Sequence, residues 1–484
     1  MRSSRIAGAD EATIPQREPA ASGPRRALVS MVALAACSLL ACGPDAREIR
    51  SRDPRPDVIL ISIDTVRADH MSSYGYARPT TPRLDALAEE GARVELAYAP
   101  SSTTGPTHAS LFTGLPPIAH GVRKNGNVLD AELETLAELL AGRGYETGAV
   151  VSSYVLSRRF GYDQGFGVFD DDFSGANSPE GTTLWEGEAI EGHFYGTADD
   201  TTDRALDWLR DRKQPEKPAF LFIHYFDPHF PYVPPADFVP NFKATAKEAL
   251  RIGRMIFVYD TLIAFTDQEI GRLLDEIEAQ QLSRDPLVIV TADHGEGLMT
   301  HGHMYHGAQI YEEAVRVPLI VRWPGRVPAG RVLTSPIATI GLGPTILDLI
   351  GETADGSIGT GGFAPMLLGE PEPLPEAAAP IFLFRRHYDG VEEVSEGLTP
   401  VGEMYGVRVG SWKLIEGAEE GTLELFDLEQ DPTEQVNRVA DEPERTASLR
   451  ALIADWRLRY EKSREVAPLS EEDRQRLRAL GYVE

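Results

Sequence analysis

Two uninterrupted apolar runs, far apart in the chain, each end on acidic residues. One is Asp57-Val58-Ile59-Leu60-Ile61-Ser62-Ile63-Asp64. The other is Pro286-Leu287-Val288-Ile289-Val290-Thr291-Ala292-Asp293-His294-Gly295. Runs this rich in Val and Ile, without polar alternation, predict central parallel strands covered on both faces. Open α/β sheets bind ligands just beyond the carboxyl ends of such strands. The pattern therefore predicts that Asp64, Asp293 and His294 meet at one sheet edge. Two carboxylates and an imidazole gathered there repel one another or stay hydrated unless a cation joins them. A divalent metal is the simplest occupant.

Between and after these runs the period changes. Thr81-Pro82 starts a helix, with Thr as N-cap and Pro in the first position, that reaches Glu90 and stops at Gly91. Asp130 is expected to cap a second helix, with Leu133, Leu136, Leu139 and Leu140 on one face and Gly144 beyond its end. Residues 147–152 and 219–224 read as strands, 199–212 and most of 247–281 as helices, and 317–323 as another strand. Strands alternating with helices predict an α/β fold: a mostly parallel sheet with helices on both faces. Residues 169–196 are acidic, Gly-rich and aromatic without a period, which suits a lid or a surface insertion. Beyond 351–380, rich in Gly, Pro and Ala, residues 406–415 and 424–428 read as strands of a small antiparallel unit, and 446–461 as a helix. The expected organisation is a leader at 1–42, a polar tether at 43–56, a catalytic domain at 57–350, a connection at 351–380 and a C-terminal α+β subdomain with its tail at 381–484.

Composition narrows the function classes. The chain has 484 residues, 42% apolar, enough for a full core. The formal charge of -28 disfavours binding to a nucleic-acid phosphate backbone. Near the N-terminus, Arg25-Arg26 precede an apolar stretch at 27–41 that is too short to span a bilayer as a mature helix. Leu39-Leu40-Ala41-Cys42 resembles a bacterial lipoprotein signal, which implies a lipidated Cys42 as the mature N-terminus and an envelope location, at the periplasmic face or the cell surface. Leu34-Ala35-Ala36-Cys37 is a second candidate with a shorter apolar core.

A third constellation carries hydroxyls: Ser101-Ser102-Thr103-Thr104-Gly105-Pro106-Thr107-His108, followed by an apolar helical run to Gly114. A hydroxyl at a helix N-terminus sees the positive end of the helix dipole and free N–H groups. A metal bound to it would lower its pKa further and make it a nucleophile. On its own terms, the same stretch reads first as a Ser/Thr N-cap.

Taken in order, these segments resemble the sulfatase family of the alkaline phosphatase superfamily. The blocks that carry the resemblance are Ile61–His70, the Thr104 stretch, Asp227-Pro228-His229-Phe230-Pro231-Tyr232, Thr291–Glu296, Tyr311-Glu312-Glu313 with Arg316-Val317-Pro318-Leu319, and the C-terminal Gly410-Ser411-Trp412-Lys413-Leu414 and Glu424-Leu425-Phe426-Asp427-Leu428. The resemblance implies an alkaline phosphatase-like fold. It implies a divalent metal (Mn, Zn, Mg or Ca) held by Asp64, Thr104, Asp293 and His294, with Thr104 also the nucleophile. His229 would contact the substrate or protonate the leaving oxygen, and His108, Asn125 and His306 would bind the substrate's anionic group. His301, His303 and His306 with Asp227 form an alternative second metal site. The departures are chemical. Family members of the usual kind carry Cys or Ser at position 104, oxidised to formylglycine; threonine cannot form that aldehyde, because its Cβ carries a methyl group. Thr65 stands where a second carboxylate is usual, and His108 where an arginine is usual. The implied activity is hydrolysis of sulfuric or phosphoric esters of small molecules, glycans or lipids, with Thr104 as a plain alkoxide. Its alternatives are transfer of the phospho group to an envelope glycan or lipid, and a non-catalytic anion-binding lipoprotein.

Overall fold

The computed structural model describes residues 55–174, 181–185, 188–192, 194–283, 285–352, 358–359, 361–373, 379–390 and 398–460. The leader with Cys42 and all but the end of the tether lie outside them, as do parts of the 169–196 and 351–380 stretches. The first half supplies strands β1 (Val58–Ile63), β2 (Ala92–Tyr98), β3 (Glu146–Val150), β4 (Val168–Asp170), the hairpin β5 (Gly181–Trp185) and β6 (Glu188–Gly192), and β7 (Ala219–Tyr225). It also supplies helices α1 (Pro82–Glu90), α2 (Thr104–Thr113), α3 (Pro117–His120), α4 (Leu136–Gly142) and α5 (Ala198–Arg210). After α6 (Arg251–Ala279) come β8 (Leu287–Ala292), α7 (Glu312–Val315), β9 (Arg316–Arg322), β10 (Arg331–Leu333), β11 (Ile337–Ala338), α8 (Leu342–Leu349) and α9 (Ala364–Leu367). The chain closes with β12 (Ile381–Arg385), β13 (Met404–Val409), β14 (Trp412–Gly417), β15 (Thr422–Asp427) and α10 (Pro443–Tyr460).

The large sheet has 9 strands in the order β10-β2-β9-β8-β1-β7-β3-β4, with β11 also beside β2. β1 lies at its centre, parallel to β7 and β8, and every residue of β1 is buried. This is the environment that an unbroken Val/Ile run requires. Register decides what reaches the edge. Ile63 pairs with Tyr225 and with Ala292, so Asp64 and Asp293 leave the sheet at one level. Ser62 pairs with His224, which sets His224 on the face that Ser62 and Asp64 share. At the opposite edge Asp57 ties the strands together: its carboxylate accepts from the Ala219 N–H (2.6 Å) and the Ser283 hydroxyl (2.6 Å), and its carbonyl accepts from the Leu287 N–H (2.9 Å).

One strand takes a direction that the pattern left open, and one expectation needs correction. The strand read at 317–323 exists as β9 and runs antiparallel to both β8 and β2. The chain between β8 and β9 stays at the carboxyl edge and never crosses to the amino edge, which a parallel return demands. The second helix starts at Leu136, and its cap is Thr135 instead of Asp130. The Thr135 hydroxyl accepts the Glu138 N–H (3.2 Å), and the Glu138 carboxylate accepts the Thr135 N–H (2.8 Å). This reciprocal pair satisfies two otherwise orphaned donors, while Asp130 lies ahead of the helix and accepts the Glu132 N–H.

The second sheet, β12-β13-β14-β15, is antiparallel throughout, and α10 covers it through Leu449, Ile453 and Trp456. It braces the loop before α2: the Phe384 N–H donates to the Pro100 carbonyl (2.8 Å), and Ser101 bridges to Phe384.

Candidate active site

Asp64 and Asp293 emerge from β1 and β8 into a wholly enclosed space. Both oxygens of Asp64, and Oδ2 of Asp293, have no hydrogen-bond partner among the described residues. Burial, then the negative charges of Asp293 and Glu296, holds the Asp64 carboxyl well above the usual range, and burial raises Asp293 as well. Carboxylates left this way are costly without a counter-charge. The other oxygen of Asp293 accepts the N–H groups of Thr65 (3.2 Å) and His294 (2.8 Å), which fixes the rotamer. Thr65 sits at φ 57, a left-handed conformation that a β-branched residue rarely adopts. Its carbonyl accepts the Tyr259 hydroxyl at 2.7 Å. Strain of about 1–3 kcal/mol at such a residue persists only where its surroundings hold it, typically at functional sites.

His294 completes the group. Its Nδ1–H donates to the Gly295 carbonyl (2.9 Å), so the lone pair lies on Nε2. That nitrogen is 3.4 Å from Asp293 Oδ2, 3.8 Å from Asp64 Oδ1 and 3.2 Å from the Thr104 hydroxyl. Ligand atoms of Asp64, Asp293 and His294 all fall within 4.8 Å of one another. Hard carboxylate oxygens, an imidazole in its ligating tautomer and a hydroxyl form a donor set that suits a divalent cation, and the orphaned oxygens are what such a cation would satisfy.

Thr104 is the first residue of α2, fully buried. Gly105 follows because nothing larger fits: a Cβ there would lie 2.8 Å from Asn125 Oδ1 and 3.0 Å from the Tyr162 hydroxyl. Asn125 Oδ1 accepts the Gly105 N–H (2.7 Å), leaving its buried Nδ2 without a partner among the described residues. His108 faces inward from the same helix. Its Nδ1–H donates to the Thr104 carbonyl (2.9 Å), and its Nε2 meets the Ser62 hydroxyl (2.9 Å). Both nitrogens are thus engaged within the protein, 3.9 Å or more from the nearest buried carboxylate oxygen that contacts them.

His306 stacks against His294 with ring centroids 4.4 Å apart, and His229 lies 5.0 Å beyond His306. Burial pushes each down to about 3, so both are neutral in the absence of an anion. His229 donates from Nδ1 to the Phe230 carbonyl (2.5 Å), which turns Nε2 into its acceptor nitrogen. Glu296, fully buried, accepts from the Tyr232 hydroxyl (2.9 Å) and meets His306 Nδ1 (3.3 Å). His301 is elsewhere, paired with Glu313 (2.7 Å) and stacked on Tyr311. Asp227 accepts the Ala198 N–H at the start of α5. Among the described residues His301, His303, His306 and Asp227 form no common metal-ligating group, and of the three histidines it is His306 that packs against His294.

The pattern missed His224, Ser62 and Glu296. His224 is fully buried, 3.5 Å from Asp64 Oδ2, and forms a second ligating group with His108 and Asp293. A polar residue one place before the end of an otherwise apolar strand, as His224 is in β7, is a signal of the same kind as the one that marks Asp64 beyond β1.

A buried hydroxyl at a helix start, facing two carboxylates and an imidazole at the carboxyl edge of a mostly parallel sheet, defines the class: an ester hydrolase with an alkaline phosphatase-like fold. The chain belongs to the sulfatase family, whose profile matches residues 56–352, and residues 300–459 match the profile of the C-terminal region of N-sulphoglucosamine sulphohydrolase. An N-acetylglucosamine-6-O-sulfatase of Bacteroides thetaiotaomicron is 24% identical over 508 aligned positions, covering 84% of this chain and 86% of that protein. Human arylsulfatase A is 28% identical over 65% of this chain and 68% of its own length. Among solved structures, a protein in complex with its substrate D-glucosamine-2-N,6-O-disulfate superposes with TM-score 0.69 at 22% identity, covering 84% of this chain and 98% of that one. A phosphonate monoester hydrolase of Agrobacterium radiobacter superposes with TM-score 0.66 at 22% identity, covering 84% and 96%.

Proposed function

We propose that the chain is a metal-dependent hydrolase of sulfuric or phosphoric esters in which Thr104 is the nucleophile. The observation that carries this reading is the pair of enclosed carboxylates, Asp64 and Asp293, with unpartnered oxygens beside the Thr104–His294 contact of 3.2 Å. Asp64, Asp293, His294 and the Thr104 hydroxyl would hold a divalent cation. When bound, it would neutralise the carboxylates, lower the hydroxyl's pKa and polarise the ester. Thr104 Oγ gives up its proton to water and attacks the sulfur or phosphorus in line with the leaving oxygen, the His294 Nε2 lone pair 3.2 Å away being taken by the cation. The S–O or P–O bond to the alcohol breaks, leaving a covalent threonine ester that water cleaves. Asn125 donates from Nδ2 to the anionic oxygens, and His108 acts from behind, holding the Thr104 carbonyl and hence the start of α2. His229 starts neutral; an anionic ester beside it raises its proton affinity, so that Nε2 takes up a proton from water as the ester binds and then delivers it to the departing alkoxide.

The activity of a relative on a sugar sulfate, and of a structural neighbour on phosphonate monoesters, supports an anionic ester as substrate. The leader motif supports lipidation at Cys42 and an envelope location. The test is a rate panel on aryl sulfate, phosphate monoester, phosphodiester and phosphonate monoester with Mn, Zn, Mg and Ca. Alongside it, mass spectrometry of acid-quenched protein looks for an adduct on the peptide containing Thr104. Turnover undiminished in Thr104→Ala, or in metal-stripped protein, would sink the reading.

A further inference from the structure

We infer that Arg386, Thr103 and Tyr388 form a second anion subsite around Gly307, and that the substrate therefore carries another negative group, a carboxylate or a second sulfate, besides the ester that is cleaved. The inference rests on the anionic-ester reading above and deepens it by naming the substrate class.

The second sheet reaches the site through the end of β12. There it runs parallel to the loop before α2: Ser101 bridges to Phe384, and the Phe384 N–H donates to the Pro100 carbonyl (2.8 Å). Two residues further along each chain stand Arg386 and Thr103, the neighbour of Thr104. Arg385 serves the scaffold. Its Nη1 donates to the Ala308 carbonyl (3.2 Å), and its Nη2 to the carbonyls of Val401 (2.9 Å) and Gly402 (2.8 Å). The end of β12 is thus fastened between the loop before α2 and the residues that follow His306. Arg386 is buried and lies 3.7 Å over the Tyr388 ring. His306 is pushed down by burial first and by the Arg386 charge second, which sets the guanidinium beside that ring.

Gly307 makes the room. A Cβ there would lie 3.3 Å from the Tyr388 hydroxyl and 3.9 Å from Thr103 Oγ1, so the missing side chain leaves a gap between two hydroxyls. At its φ of 89, a residue with a Cβ would be strained as well as obstructive. The Thr103 hydroxyl is buried and has no hydrogen-bond partner among the described residues. An oxygen of a bound group would satisfy it. Hydroxyl donors beside a guanidinium make charge-assisted hydrogen bonds to an anion. His306, which the gap adjoins, is one ring out from His294, at 4.4 Å between centroids. The gap therefore sits beside the ester and not at the atom that Thr104 attacks.

The test is calorimetric and needs no turnover. The full chain, with Mn present, is titrated with three sulfonates that cannot be hydrolysed: benzenesulfonate, 3-sulfobenzoate and benzene-1,3-disulfonate. The wild type should bind at least one of the two dianions about 10–100-fold more tightly than the monoanion, as hydrogen bonds to a charged group allow. The carboxylate and disulfonate arms tell which group the subsite prefers. Arg386→Gln should erase the preference, Arg386→Lys should restore part of it, and Thr103→Val, which keeps the volume, should reduce it. No preference in the wild type overturns the inference, and so does a variant that weakens monoanion and dianions by the same factor. Should Arg386→Gln fail to fold, Thr103→Val and the wild-type comparison decide. Turnover of an aryl sulfate by a protein without the preference refutes the subsite alone. A preference that stands while Thr104→Ala keeps full activity refutes the Thr104 reading alone.

Discussion

Replacing Asp64 by Asn should stabilise the metal-free protein while abolishing its stabilisation by metal. The carboxylate is wholly enclosed, both oxygens lack partners, and Asp293 and Glu296 add repulsion. Its folded pKa lies well above the unfolded value of 3.8. The unfolded state therefore releases this proton first. Stability falls as pH rises above the unfolded value, and the loss is complete once pH passes the folded pKa. The substitution therefore has a larger effect at pH 8 than at pH 4. Removing a buried, uncompensated charge returns about 1–4 kcal/mol. Asn keeps two polar atoms that still need partners, so the gain should be at the low end, about 1–2 kcal/mol. With an unfolding entropy of about 2.1 cal/mol/K per residue, a chain of this length shifts its Tm by only about 1 °C for each kcal/mol. The expected rise is thus small in EDTA. In wild type, metal at 100 times its Kd adds about 2.7 kcal/mol, or close to 3 °C by the same entropy; the Asn variant should gain none of it. Differential scanning calorimetry at pH 8, with and without Mn or Zn, reads both. A variant that melts below wild type in EDTA, or that gains as much from metal, would show that Asp64 serves the scaffold and not a cation.

Thr104→Val keeps the volume and removes the hydroxyl, so activity should drop by about 10⁴–10⁶-fold with a near-native Tm, whereas Thr104→Ser should retain measurable turnover; assays on the preferred ester separate the two. His229→Gln should slow hydrolysis by about 10²–10⁴-fold for esters of poorly acidic alcohols and much less for 4-nitrophenyl esters, and equal losses would remove it from the proton-delivery role. Burial pushes Asp227 up from 3.8 to about 7, so wild-type stability should decline as pH rises through that interval. Asp227→Asn should lack the decline, a difference of up to roughly 4 kcal/mol above pH 7 that urea unfolding across pH 5–9 would detect.

The meeting of Asp64, Asp293 and His294 at one edge is legible because strand ends in a parallel sheet share a level, and both apolar runs are long enough to fix their direction. The start of α2 at Thr104 is legible for a similar local reason: hydroxyls precede Gly-Pro, then a helical run begins. Other features depend on partners distant in sequence. The helix supplies only one of the contacts that hold His108, the Thr104 carbonyl one turn back, because the hydroxyl at its Nε2 belongs to Ser62 on β1. The direction of β9 is likewise set by which edge the preceding loop occupies. His224 reads as the last residue of a strand until register with Ser62 places it beside Asp64. His301 and His306 are close in sequence, yet Glu313 draws one away while Glu296 keeps the other in the site. Spacing alone carries no information about that division.

The clamp around Asp57 anchors one end of β1, and Asp64 leaves the other end of the same 6-residue strand, a span of roughly 20 Å. One stiff strand thus joins a scaffold carboxylate to a site carboxylate. Slack introduced at the first would be felt as a misplaced oxygen at the second, with every residue around Asp64 untouched.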